Sequence, residues 1–252
     1  MKINNLNNLS LKKKREEYLQ NGFTIYRNFL NLSRIRAIKK ELKVYLKKQV
    51  NLKKKQFHLT KDNKVNSAHN VKFNWIKKLQ NLKKTKKITS SLLGDNPKKF
   101  GAELFAKPAK TGLNVPIHQD NFYWNTKTGN ALTMWIALNK SNKENGGIFY
   151  FKKSHKTGLQ KHKLSFHPGT SQKLSEKIHL KKFKKITPSL KPGDCIVHNS
   201  LIIHGSNKNF SNKTRSGLTL RYISKNEKFD NLKIAKYKKS LEKNIKFLKE
   251  NN

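Results

Sequence analysis

Cysteine is almost absent: Cys195 stands alone in 252 residues, so the chain can form no internal disulfide and no cysteine-rich zinc site. Such a chain suits a reducing compartment. The apolar, β-branched surroundings of Cys195 read as a buried structural thiol. Long hydrophobic runs are also missing; Leu201-Ile-Ile203 is typical, far short of the ~20 residues that cross a bilayer. The opening Met1-Lys-Ile-Asn-Asn-Leu-Asn-Asn-Leu-Ser10 lacks the apolar centre of a signal peptide. A cytoplasmic protein without a membrane span is therefore expected. Acids are scarce, 14 against 57 basic residues, for a net charge of +43. Arginine is scarce too: only Arg15, Arg27, Arg34, Arg36, Arg215 and Arg221 interrupt a lysine background. No zinc finger, Gly-aromatic RNA signature or separate basic arm accompanies that charge, so no specific nucleic-acid partner is expected, only adsorption to polyanions at low salt.

Against this background His118-Gln-Asp120, His204 and Arg215 stand out. Two imidazoles and one carboxylate form the facial triad that holds non-haem Fe(II) with coordination positions left open. Side chains two apart on a strand project to the same face, so His118 and Asp120 can grip one metal from a single extended segment. The surrounding Asn114–Trp124 is aromatic and β-prone. His204 ends a second β-branched stretch, Asp194–His204, broken by a turn at Asn199-Ser200. Arg215 opens a third, Arg215–Ile223, after turn-rich Gly205–Asn212, and a hairpin of that length is expected to bring its ends together. A guanidinium can grip a dicarboxylate with two parallel hydrogen bonds, which lysine cannot do.

The rest of the chain reads as helices, then strands, then a helix. Residues 11–21 and 34–49 have helical apolar spacing, the second with Ser33 as N-cap; residues 72–93 read as two helices punctuated near Asn81 and ended by Gly94-Asp-Asn-Pro97. β signals dominate 101–224. The tail 229–252 reads as an amphipathic lysine-rich helix with Leu232, Ile234, Tyr237, Leu241, Ile245 and Leu248 on one face, expected against the barrel exterior. The stretch 152–191, with Gly158, Pro168, Gly169 and Pro188, reads as a variable cover over the substrate mouth. At this length one domain is expected over residues 1–252: a helical N-terminal region over residues 1–98, a core of about 100–225 and a C-terminal helix of about 229–252.

In order along the chain, Phe105-Ala-Lys-Pro-Ala109, His118-Gln-Asp120, Trp135-Ile-Ala-Leu138, Glu144-Asn-Gly-Gly147, Ser154-His-Lys-Thr-Gly158, Lys191-Pro-Gly-Asp194, His204-Gly-Ser206, Asn209-Phe-Ser211 and Arg215 resemble the phytanoyl-CoA dioxygenase family. Tyr18–Leu30 resembles that family's N-terminal entry, so the resemblance covers residues 15 to 225. It implies a mainly β fold with flanking helices around a double-stranded β-helix, the cupin-like jelly roll. It implies Fe(II) on His118, Asp120 and His204, with 2-oxoglutarate and O2 as co-substrates. Arg215 would pair with the far carboxylate of 2-oxoglutarate, while Ser206, Trp135 and, more weakly, Gln119 would line the same pocket. The activity implied is hydroxylation of a small organic substrate with release of succinate and CO2. The cationic charge favours an anionic substrate. Asp120 leaves no vacant site for the chloride that halogenating relatives bind. One departure is local: Lys153 stands where the family often has glycine before Ser-His.

Milder readings apply to most other candidates. His58, His69, His162, His167 and His179 read as ordinary surface or core histidines, His155 as a loop-fixing hydrogen-bonding residue, and His198 as packing near the iron pocket. Asp194 reads as shaping a turn, and Tyr123 and Trp124 as core aromatics or pocket walls. Three other functions fit some features of the pattern: a non-catalytic metal-binding jelly roll, a zinc hydrolase, or a basic nucleic-acid-binding protein. The hydrolase lacks His-Glu-x-x-His and leaves Arg215 without a role.

Overall fold

The computed structural model describes residues 7–51, 57–59, 62, 64–167, 170–176 and 179–250. In chain order the elements are α1 (Asn8–Asn21), β1 (Phe23–Tyr26), α2 (Leu32–Asn51), β2 (Phe57–Leu59), β3 (Val65–Ala68), α3 (Asn74–Asn81), α4 (Lys83–Leu93), β4 (Lys98–Lys107), β5 (Val115–His118), α5 (Asp120–Trp124), β6 (Ala131–Ala137), β7 (Ile148–Phe151), β8 (His162–His167), β9 (Thr170–Leu174), β10 (Lys185–Ile186), β11 (Cys195–Asn199), β12 (His204–Ser206), β13 (Arg215–Ile223) and α6 (Asn231–Glu250). Among them no helix is long and apolar enough to cross a membrane.

Two antiparallel sheets form the jelly-roll core. The larger has strand order β1-β11-β6-β13-β4-β3-β2 and the smaller β10-β7-β12-β5, with β8 and β9 as a separate hairpin. Period-two alternation divides the faces of the larger sheet. On β6, Leu132, Met134 and Ile136 join Leu218, Leu220 and Tyr222 of β13 in one apolar cluster with Ile38, Leu79, Ile88 and Leu92 from the helices. Each such side chain contributes about 1.5–3 kcal/mol by leaving water. The opposite face carries Thr133 and Trp135 of β6 and Arg215, Thr219 and Arg221 of β13, all on the wall of a cavity. Both faces of β6 are covered, so all seven residues are buried.

Several expectations are corrected. The helix expected from residue 34 starts at Leu32, and its cap is Asn31 rather than Ser33: Asn31 Oδ1 accepts from Arg34 N at 3.0 Å, and Ser33 lies within the first turn. The segment after His118 is not strand; Gln119 is extended (φ −123°, ψ 132°), and Asp120 begins the short α5. His204 and Arg215 are not joined by a hairpin, because β12 belongs to the smaller sheet and β13 to the larger. The linking segment crosses from one sheet to the other. The C-terminal helix is not on the barrel exterior. Tyr237, Leu241, Asn244, Ile245 and Leu248 of α6 face the cavity. Asn244 Oδ1 accepts from Phe166 N at 3.0 Å, Gln172 Nε2 donates to Ser240 Oγ at 2.7 Å, and Phe247 packs on Phe166 at 4.3 Å, which docks α6 on the β8–β9 hairpin. The 152–191 stretch includes that hairpin and β10; its residues 168, 169, 177 and 178 lie outside the described residues, as do 251–252 and 1–6.

The local departure at Lys153 has a physical consequence. Its backbone is left-handed (φ 69°, ψ −1°), the conformation glycine adopts without penalty. Lys153→Gly should therefore raise stability by about 1 kcal/mol, read as a higher denaturant midpoint with unchanged slope. A lower midpoint would show that the lysine side chain contributes more than the backbone strain costs.

Candidate active site

The two histidines are set on neighbouring strands. His204 of β12 is the direct cross-strand partner of His118 of β5, and their rings lie 4.3 Å apart. His118 Nδ1 donates to Pro116 O at 2.7 Å and His204 Nδ1 to Ile202 O at 3.0 Å, which leaves both Nε2 lone pairs free to coordinate. They face one oxygen: Nε2 of His118 and His204 lie 3.6 and 3.7 Å from Asp120 Oδ1. One ligand atom from each residue falls within 4.8 Å of the others, the arrangement expected of a metal-holding triad.

Asp120 Oδ2 has a different job. It accepts from Thr133 Oγ1 at 2.7 Å and His198 Nε2 at 3.1 Å. A carboxylate can only accept, so His198 carries its proton on Nε2, and Nδ1 accepts from Tyr150 O–H at 3.1 Å. The chain Tyr150, His198, Asp120 thus orients the carboxylate, a stronger role than the packing read for His198 from sequence. Burial opposes ionisation of Asp120, but the hydrogen bond from His198 and the neighbouring His118 and His204 outweigh it and hold the carboxyl well below its usual range. Burial, followed by His118, pushes His204 down to about 3.

These shifts predict an acid limb. Burial likewise lowers His58 and His162 to about 4. The unfolded chain takes up those protons near the ordinary value of 6.5 while the fold still excludes them. Stability is thus intact above pH 6.5 and lost as pH falls toward 3. The depressed Asp120 adds a loss in the same direction, below its ordinary 3.8. Denaturant titrations of metal-free protein between pH 7.5 and 4 should show a falling midpoint; a constant one would contradict the burial assigned to these groups.

The triad opens into a cavity of about 730 Å³. One stretch of its wall holds Arg215, Trp135, Ser206, Val115 and Ile148. Arg215 is 2 % exposed, stacks over Trp135 at 5.3 Å, and donates Nε and Nη2 to Gly146 O at 3.2 and 2.6 Å. Nη1 has no protein acceptor among the described residues. Trp135 Nε1 is buried without a partner as well. Gly217 makes room for that indole, since a Cβ there would lie 2.1 Å from the ring. Two uncommitted donors in one buried wall fit an anionic co-substrate, because leaving them unpaired costs about 1–3 kcal/mol each. Burial lowers Arg215 only to about 10, so it remains cationic.

Gln119 does not belong to this wall. The strand period turns it away from its neighbours, and its amide donates to Gly158 O at 2.9 Å and Leu201 O at 2.5 Å and accepts from Gln160 N at 2.7 Å. It ties the 158–160 segment to Leu201. His155 Nε2 donates to Leu19 O, and Asp194 accepts from Lys191 N and Asn28 N and pairs with Arg27 at 2.7 Å, so both hold loops as read from sequence. Tyr123 and Trp124 line the cavity.

The strong positive charge of the chain is not repeated on the described part of this wall. Among the described residues no lysine lines the cavity; the charged ones other than histidine are Asp120, Glu103, Arg215 and Arg221. Lys107, the cross-strand partner of Arg215, is turned onto the carbonyls of Leu113 and Asn207 and is pushed down to about 6 by burial and then by Arg215. Glu103, His69 and Arg221 were not singled out as a group from sequence. The available signal was an acid inside the apolar stretch Phe100–Phe105 of a chain with few acids.

The family model for phytanoyl-CoA dioxygenase (PhyH) matches residues 18–217. Phytanoyl-CoA dioxygenase 1 of Oryza sativa subsp. japonica is 31% identical over 127 residues, 48% of this chain and 42% of the rice protein, so that match spans less than half of the relative. Peroxisomal phytanoyl-CoA dioxygenase of Bos taurus is 22% identical over 247 residues, 87% of this chain and 70% of the bovine protein. Among solved structures, EctD from S. alaskensis with 2-oxoglutarate and 5-hydroxyectoine superposes with a TM-score of 0.73 at 19% identity, over 86% of this chain and 77% of EctD. The non-heme alpha-ketoglutarate-dependent carbocyclase SnoK from nogalamycin biosynthesis gives 0.70 at 18% identity, over 86% and 85%. These structures share the fold. The expectation of a cytoplasmic protein does not stand, because the bovine, human, rat and mouse relatives, matched along 86–90% of the chain, are peroxisomal enzymes. Cysteine content and hydropathy report on redox environment and membrane crossing, whereas organelle addresses are short receptor-read signals that leave no trace in composition.

Proposed function

Because the chain belongs to the phytanoyl-CoA dioxygenase family, we propose that it is an Fe(II)- and 2-oxoglutarate-dependent dioxygenase that hydroxylates a small organic substrate, consuming O2 and releasing succinate and CO2. The observation that carries this reading is the convergence of His118, Asp120 and His204 on one point of a cavity whose wall also holds the uncommitted donors of Arg215 and Trp135.

The donor set suits Fe(II): two neutral imidazoles and a carboxylate, with the cavity side left open. Fe(II) held by His118, Asp120 and His204 would supply activation of O2 coupled to oxidative decarboxylation of the keto acid. The protein contributes binding and orientation. Arg215, fixed by Gly146 O and by the Trp135 ring, would present its Nη1–Nη2 edge to the far carboxylate of 2-oxoglutarate, and Trp135 Nε1 and Ser206, on the same cavity wall, would donate to that molecule. Thr133 and His198 keep Asp120 in one rotamer, so its Oδ1 faces the metal position. Helix α6 covers the cavity, which limits water near the reacting carbon.

Anaerobic protein with Fe(II) and 2-oxoglutarate should show the weak visible charge-transfer absorption of a chelated keto acid. On admission of air, a metabolite panel should reveal substrate-stimulated succinate release, inhibited by Zn(II). Hydrolysis supported by zinc without 2-oxoglutarate would overturn the reading in favour of a zinc hydrolase. Absence of both absorption and succinate would favour a binding module.

A further inference from the structure

Inward-facing residues on β13 alternate with those packed on the helices, so Arg215 and Arg221 share one face of the sheet, about 20 Å apart along six residues. Arg221 sits opposite Thr133, itself opposite His198, and these two hold Asp120. Arg221 therefore lies beside the metal end of the cavity, away from the co-substrate clamp. Its guanidinium lies over Gly101, where a Cβ would be 2.4 Å from Nη2, and against the rings of Phe100 and Trp124 at 5.4 and 5.8 Å. Nη1 is 3.3 Å from Glu103 Oε1, which also accepts from His69 Nδ1 at 2.6 Å.

This ion pair is not fully used by the protein. Arg221 Nε is buried without a partner, and Glu103 Oε2 has none among the described residues. The backbone ladder between β4 and β13, with nine paired positions, holds the sheet here without it. Burying two charges costs several kcal/mol of desolvation, so a pair with spare donors and acceptors on a cavity wall is a poor structural device. Burial alone would neutralise Glu103, but Arg221 and His69 overcome it and keep the carboxylate ionised.

We infer, on the dioxygenase reading above, that Glu103 and Arg221 form the polar end of the substrate chamber and select a net-neutral molecule with an apolar or aromatic body whose polar end sets a hydrogen-bond donor beside an acceptor, as a carboxamide or an amino-acid zwitterion does. An anion would gain Arg221 but meet Glu103 and Asp120. A cation would gain Glu103 but meet Arg221. A paired donor and acceptor satisfies both. The rest of the chamber receives an apolar body: Phe100, Phe105, Trp124, Leu241 and Ile245 face it, and among the described residues no lysine does.

The test uses four probes with one phenylethyl body: 3-phenylpropanamide, L-phenylalanine, 3-phenylpropanoate and phenethylamine. Binding to the full-length protein is measured by calorimetry, both metal-free and anaerobic with Fe(II) and 2-oxoglutarate. The amide or the zwitterion should bind at least about tenfold tighter than the carboxylate and the amine, the worth of one charge-assisted hydrogen bond. Glu103→Gln, which is isosteric, should shift preference toward 3-phenylpropanoate, and Arg221→Gln toward phenethylamine; a role confined to folding would lower stability and leave the order of probes unchanged. The inference is overturned if the carboxylate binds best to the parent protein, if neither variant changes the order, or if no probe binds in either state. Absence of the keto-acid absorption with the probe order intact would instead count against the dioxygenase reading alone.

Discussion

Replacing His118, Asp120 or His204 with alanine should abolish succinate formation and reduce bound iron to background in each of the three variants. Two remaining donors hold Fe(II) poorly, and no neighbour can substitute. His198 is the nearest other imidazole, but its Nε2 is committed to Asp120 Oδ2 and its Nδ1 to Tyr150. Asp120→Ala has the widest consequences. It deletes a ligand, removes the acceptor of Thr133 and His198, and takes away the negative charge among three buried histidines. Leaving those donors unpaired costs about 1–3 kcal/mol each, so this variant should also unfold earlier than the histidine variants. Metal content by elemental analysis, succinate release and thermal unfolding separate the effects. Full activity in all three variants would remove the triad assignment.

Arg215→Lys should weaken 2-oxoglutarate binding by about 1.5–3 kcal/mol, or ~10- to 150-fold, while leaving net charge and iron content unchanged. The arginine satisfies two demands at once. Through Nε and Nη2 it holds Gly146 O, and its other edge remains for the co-substrate. An ammonium on a flexible stem cannot do both in one geometry, nor stack on Trp135 as the planar group does. Lys238→Gln and Lys239→Gln, exposed on α6, should barely alter the affinity. Calorimetry on the anaerobic Fe(II) protein gives the comparison. Unchanged affinity in Arg215→Lys would place the clamp elsewhere, and Arg221 would be a weak substitute because Glu103 already neutralises it.

Much of the site was legible because its chemistry is local. His118 and Asp120 are two apart, and an extended Gln119 is enough to turn both toward one point even though the strand ends at His118. Arg215 was legible by contrast with a lysine-rich background, and β13 begins and ends where its β-branched pattern does. The sequence by itself thus determined which residue types converge at the triad, the helix-strand-helix order and the family. Gln119 was misplaced for the same reason that its neighbours were placed correctly: period two turns it to the other face, where the fold supplies loop carbonyls.

Only the tertiary structure decided what surrounds the His118–Asp120–His204 cluster. The passage from β12 to β13 between sheets, the closure by α6, and the grouping of Glu103, His69 and Arg221 join residues far apart in the chain, which no local period records. Amphipathicity showed that α6 has an apolar face but could not say which surface covers it, since burial is non-directional and any apolar surface would serve. Net charge carries no such local information for a related reason. It sums over the whole surface, whereas a substrate meets only the groups that the fold turns inward, and there, among the described residues, two arginines face two carboxylates without a lysine.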